Sequence, residues 1–172
     1  QYIVYLPFPK TIIELKQQSI PLSPAINIYS AIYWEANVLK LFQKELTKFE
    51  LLRNDFEMNF VNGELINASH ILDEIQSSFG YSLWIIENRM LLINHTEGFS
   101  ELRKFVNIVL DDDNINGLVK LIVDFTSNKI DQNMNSKQYE EYMKDKFKEL
   151  RKLNINPQLL NYISFKLNCR SI

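Results

Sequence analysis

From Pro24 onward, apolar residues recur along this chain mostly at three-, four- and seven-residue intervals. The longest such series is Ile28, Ile32, Leu39, Phe42, Leu46, Phe49 and Leu52. It predicts a helix over 24–53, with Ser23 as N-cap and Pro24 at the first helical position. Thirty residues at 1.5 Å rise would reach about 45 Å, longer than a compact domain is wide. The helix must therefore break in its middle or run beyond its own core. Tyr29, Tyr33 and Trp34 lie off the main stripe and make its first half apolar nearly all round. Such a helix is central or sits at an interface.

Two stretches depart from the helical period. Phe56, Met58 and Phe60 alternate with Glu57 and Asn59, and Asn62-Gly63 follows. Period two followed by Asn-Gly predicts a β-hairpin over 56–66. The second is SLWIIENRMLLIN, in which two apolar runs flank Glu87-Asn88-Arg89. It reads as a hairpin over 81–94, with strands Tyr81–Ile86 and Met90–Asn94. In any register both of its faces are apolar, whereas a surface hairpin normally alternates apolar and polar positions. Both faces therefore need cover. Either helices flank the hairpin on each side, or the face with Trp84 and Met90 meets another chain.

The remaining elements follow from caps and breakers. Tyr2–Leu6 reads as a short strand ended by Pro7 and Pro9, and Thr11–Gln18 as a turn or two of helix. A helix over 68–79 would be capped by Asn67 or Ser69 and closed by Gly80. Thr96 would cap the next, to Leu110, and Asp111-Asp112-Asp113-Asn114 would end it and open another over 115–127. After 128–136, the one linker-like stretch, Ser136 and Asn156-Pro157 start the last two helices, to about 153 and 167. The expected fold is helix-rich α+β: a small antiparallel sheet packed by helices, with a helical C-terminal half and a winged-helix-like arrangement in the middle. The expected domains are an α+β core over 1–127, the linker, and a helical pair over 137–172 packed on the core.

Composition narrows the function classes. The chain has 172 residues, 46% hydrophobic and 23% charged, with a formal net charge of −2. This is enough for a real core and too apolar for disorder. No global field draws the chain onto nucleic acid or an anionic membrane. There is no run of eighteen apolar residues for a membrane span and no charged leader followed by an apolar run. The chain begins at Gln1, so a domain of a longer or processed protein is expected. The single cysteine, Cys169, rules out an internal disulfide. Two sequons, at Asn67 and Asn94, are what an asparagine-rich chain produces by chance.

Catalytic patterns are missing. His70 and His95 stand in no metal-ligand pattern such as HExxH, and the aspartate run lacks the glycine and alternation of a calcium loop. There is no GxSxG and no glycine-rich phosphate loop, so neither enzyme activity nor a metal or cofactor is expected. As a recognition helix, 68–79 would present Asp73 and Glu74 to phosphates, which opposes DNA contact. Residues 137–172 differ, with eight lysines and arginines against four acids. Lys137, Lys144, Lys148 and Arg151 share one helix face, with Lys152 at its edge. Tyr139, Tyr142, Met143, Phe147, Leu150 and Leu153 lie opposite, and Lys146 must snorkel. That strip could serve an acidic partner or a nucleic-acid backbone.

The reading that follows is a non-enzymatic interaction module, a subunit or scaffold of an intracellular assembly in cytoplasm or nucleus. Tyr29, Tyr33, Trp34, Trp84 and Met90 are its candidate contacts, because exposed aromatics are enriched at interfaces. A protein partner is expected, a second copy of the chain is possible, and a membrane is not expected. The alternative is a winged-helix-like nucleic-acid-associated factor using Lys137, Lys144, Lys148, Arg151 and Lys152.

Overall fold

The computed structural model describes Glu14 and residues 27–131, 133–152 and 157–167. Among them every regular element is an α-helix, and there is no strand. This overturns the α+β fold, both hairpins and the winged-helix arrangement. The expected strand at Tyr2–Leu6, the helical turns at Thr11–Gln18 and the Ser23-Pro24 helix start lie outside the described residues. The helices are α1 (Ile28–Leu41), α2 (Gln43–Val61), α3 (Leu65–Phe79), α4 (Leu83–Thr96), α5 (Phe99–Asp111), α6 (Gly117–Ile130), α7 (Ser136–Lys152) and α8 (Pro157–Lys166). They belong to two compact units, residues 1–80 and residues 81–172.

In the first unit the long helical series does break. Asn27 caps α1, its side chain accepting from the Tyr29 N–H, and at Phe42 the backbone leaves helical geometry (φ −100°, ψ 20°). The chain resumes as α2 at the next residue and continues to Val61, through the stretch expected as a strand. Burial explains why. A strand would place Phe56, Met58 and Phe60 on one face. Instead Phe56 is buried and stacks on Phe60 at 5.8 Å, while Met58 is exposed. Phe49, Phe56 and Phe60 are spaced by seven and four, which is helical, and the alternation of Met58 with them is incidental. Asn62-Gly63 does turn the chain, but between two helices. Gly63 takes φ +79°, which disfavours any side chain, and the Glu64 N–H reaches back to the Asn59 carbonyl at 2.8 Å.

Helix α3 folds back antiparallel on α2. The ring of Phe79 meets Phe49 edge-on at 5.5 Å, and Lys48 reaches Glu74 and Ser78. Ala68, Leu72, Ile75 and Phe79 form the buried stripe of α3 at intervals of four and three. Helix α3 starts at Leu65, so neither Asn67 nor Ser69 caps it, and it ends at Gly80.

The second unit begins with the other expected hairpin, which is helix α4. Ser82 caps it through the Ile85 N–H, and the supposed turn residues sit in its middle, where the Asn88 amide donates to the Trp84 carbonyl at 2.8 Å. Ile85, Ile86, Met90 and Leu92 are buried, and most of the other apolar residues of α4 are half-buried. A helix wrapped this fully by neighbours shows no polar stripe, so its period is hidden in the sequence. Thr96 does not cap α5. Its hydroxyl donates to the Leu92 carbonyl within α4, and Gly98 is the N-cap of α5.

One core joins Ile86 and Met90 of α4 to Leu102, Val106 and Val109 of α5, to Ile115 and to Val123 of α6. A second gathers Phe125 of α6, Met143 and Phe147 of α7, and Leu160, Ile163 and Leu167 around α8. Helix α6 therefore serves both cores from opposite sides, and the C-terminal helical pair packs on it. Asp112 accepts from Asn114 and closes the aspartate run into a turn, while Asn116 caps α6. Residues 128–130, read as linker, are the last turn of α6. Helix α7 opens with a reciprocal cap: the Gln138 N–H donates to Asn135 and the Asn135 N–H donates to Gln138, both at 2.9 Å. That is the capping-box arrangement with asparagine in the serine position.

Candidate functional site

Helix α1 carries a concentration of exposed large apolar residues. Ile28, Tyr29, Ile32, Tyr33, Leu39 and Leu41 are all exposed, Tyr29 by 78% and Tyr33 by 73%. At 100° per residue, Ile28, Leu39, Ile32, Tyr29 and Tyr33 fall within about 140° of the helix circumference. Val38, the buried residue of α1, lies on the far side, and the buried Phe42 is its C-cap. Tyr29, Ser30, Tyr33 and Asn37 line a shallow open depression, and the Asn37 amide is occupied by the Tyr33 carbonyl at 2.7 Å. Only Glu35 and Lys40 of this helix are ionisable besides the tyrosines.

The other expected contact residues are elsewhere. The side chain of Trp34 lies outside the described residues. Trp84 is half-buried in the second unit. Met90 is fully buried in the first core of that unit and has no surface to offer a partner. Its burial follows from α4 being a helix, since an edge-facing hairpin residue becomes a core-facing helical one.

Lys137, Lys144, Lys148, Arg151 and Lys152 are all exposed on α7, opposite the buried Met143 and Phe147. The strip is less basic than its lysines suggest. Glu141 is exposed within the same arc, and Lys148 pairs with Asp145 at 3.1 Å. Lys146 is half-buried and extends to Glu149 at 3.4 Å, as a snorkelling lysine does.

A polar cluster that no sequence spacing announced braces α5, α6 and α7. Arg103 donates to Asp131 at 2.9 Å and lies 5.2 Å from the Phe99 ring centroid. Asn128, buried in α6, donates to the Asp124 carbonyl and carboxylate and to the Tyr142 hydroxyl. Tyr142 in turn donates to Asp124 at 2.5 Å. Burial first, and then the Asp124 carboxylate, push the Tyr142 phenol far above its ordinary range. It stays protonated and serves as a donor, not as a base or nucleophile. Asp131 is held below the usual carboxylate range by the Asn133 backbone N–H first, and also by Arg103. These residues are 28 and 18 positions apart in their pairs, so only the packing of three helices brings them together.

Comparison with known protein families, with curated proteins and with solved structures finds no match to this chain.

Among the described residues, no group of three histidine, cysteine or acidic side chains is placed to hold a metal ion. No described helix is long and apolar enough to cross a membrane. His70 and His95 are both exposed.

Proposed function

We propose that this chain is a non-enzymatic protein-interaction module, a subunit or scaffold of an intracellular assembly, that docks through the apolar face of α1. The observation that supports it is the exposure of Ile28, Tyr29, Ile32, Tyr33 and Leu39 on one helix face. Monomeric proteins rarely leave a contiguous apolar patch of more than a few hundred Å² in water. Tyrosine suits such a face because its ring gives contact area and its hydroxyl stays hydrated when the face is free. The single cysteine fits a reducing compartment, where structural disulfides are rare.

The test is quantitative capture by the immobilised chain, compared with Tyr29→Ser/Tyr33→Ser. These side chains are exposed, so their replacement leaves the melting temperature within about 2 °C. Loss of most captured protein at unchanged melting temperature supports the reading. Equal capture by wild type and variant, or unfolding of the variant, overturns it.

A further inference from the structure

The chain carries two Asn-Gly pairs, Asn62-Gly63 and Asn116-Gly117. Such a pair can react within itself. The glycine amide nitrogen attacks the asparagine side-chain carbonyl carbon, the bond to the side-chain nitrogen breaks, and ammonia leaves as a succinimide ring closes. Water then opens the ring at either carbonyl and yields aspartate or isoaspartate. An amide and a water become a carboxylic acid and ammonia, so no oxidant, reductant or cofactor takes part. Glycine favours the attack because no Cβ shields its nitrogen. We propose that Asn62 is a site of this spontaneous modification, that the structure protects Asn116 from it, and that the products loosen the α2–α3 hairpin.

The backbone sorts the two pairs. Ring closure requires the asparagine side chain and its ψ to turn together until Cγ meets the next nitrogen, which breaks whatever holds them. Asn62 is the C-cap of α2 (φ −77°, ψ −4°), where the helix ends. Residues 61–64 are all exposed, and among the described residues the Asn62 side chain has no hydrogen-bond partner. Opening the turn disturbs the bonds from the Gly63 N–H to the Phe60 carbonyl at 3.1 Å and from the Glu64 N–H to the Asn59 carbonyl at 2.8 Å. None of these residues is in a core, and such local openings cost little. Asn116 stands at the start of a helix instead. Its side-chain oxygen accepts from the Leu118 N–H at 2.8 Å, and its backbone carbonyl accepts from the Lys120 N–H at 3.1 Å. The ring cannot close there without disrupting the first turn of α6, next to Ile115, which is buried in the first core of its unit.

Both products weaken the turn in which they form. Each places a carboxylate at the C-terminus of α2, the negative end of the helix dipole. The last turn of α2 has no basic residue to offset it. Isoaspartate also lengthens the backbone by an atom in the turn that returns α3 onto α2.

The experiment incubates the full chain at mildly alkaline pH and follows peptide masses after proteolysis. Asn62 should gain about 1 Da, amide to acid, at least about tenfold faster than Asn116. In urea, where both pairs lose their structure, the two rates should agree within about threefold. Asn62→Asp, made directly, should lower the melting temperature by about 2–6 °C. Asn62→Gln, whose longer side chain closes no succinimide, should melt within about 1 °C of wild type and show no gain at this position.

Asn116 reacting as fast as Asn62 in the folded chain overturns the proposal. So does a difference that persists in urea, because sequence and not structure would then set it. An Asn62 that reacts only in urea is protected by the fold and is not the site. Asn62→Asp melting together with wild type overturns the loosening of the hairpin.

Discussion

Asn88→Pro separates the helical α4 from a β-hairpin at the same residues. In a hairpin, Asn88 would be the middle of a three-residue loop, free of ladder hydrogen bonds, and proline would be tolerated there. In the structure Asn88 is the sixth of fourteen residues of α4. Proline there removes the backbone hydrogen bond to Trp84, and its ring clashes with that same carbonyl. It also deletes the amide bond that Asn88 makes to the Trp84 carbonyl at 2.8 Å. The backbone effect alone costs about 3 kcal/mol or more. The helix holds Ile85, Ile86, Met90 and Leu92 in buried positions, so a kink also disturbs packing. For a unit spanning residues 81–172, 3 kcal/mol corresponds to a fall in melting temperature of about 12–24 °C. The assay is thermal and urea unfolding followed by circular dichroism at the helical band. A variant melting within about 2 °C of wild type, with unchanged helical signal, would refute the helical assignment.

Other outcomes follow from the same packing. Phe147→Ala empties a fully buried position in the second core of its unit and should cost about 3–5 kcal/mol in urea unfolding. Tyr142→Phe leaves the half-buried Asp124 carboxylate without its hydroxyl donor and should cost about 1–2 kcal/mol, with no change in helical content. Asp131 has a lowered carboxyl pKa, so its contribution is present above the ordinary carboxylate range and is lost as pH falls through the folded value. Asp131→Asn should therefore narrow the gap in stability between neutral and acid pH, seen as a shallower acid limb in melts taken across that range. Gly80 has φ 68° and ψ −178°, with open space where a side chain would go. Gly80→Ala should cost about 1–3 kcal/mol from backbone strain alone. Duplex DNA and RNA should show no salt-dependent anisotropy change with the chain at low salt, because Glu141 and Asp145 interrupt the α7 strip. Binding lost on Lys144→Glu and Lys148→Glu would instead promote that strip.

Much of the helical architecture is legible in the chain. The four- and three-residue spacing of Leu102, Val106 and Val109, of Ala68, Leu72, Ile75 and Phe79, and of Met143, Phe147 and Leu150 marks one inward face per helix. Polar caps and breakers place the later helices within a residue or two: α7 begins at Ser136, α8 at Pro157, and the aspartate run lies between α5 and α6. Of the two outcomes expected for the series over 24–53, a break in its middle or a run beyond its core, the structure shows a break at Phe42. The exposure of α1 was not readable from the stripe, because Ile28, Ile32 and Leu39 on it are exposed together with Tyr29 and Tyr33 off it.

Tertiary packing decided the rest. Residues 83–96 carry apolar side chains on every side, so periods of 2 and 3.6 fit them equally, and only the neighbours that wrap α4 select the helix. Phe56, Met58 and Phe60 satisfy a strand locally, and the fold-back of α3 onto α2 overrides that pattern by burying Phe56 and leaving Met58 in water. Met90 passed from contact candidate to core residue for the same reason. The bridge from Arg103 to Asp131 and the bond from Tyr142 to Asp124 have no sequence signature at all. Their partners meet because α6 is flanked by α5 and α7, and side-chain reach in space, not separation along the chain, determines which charges and hydroxyls pair.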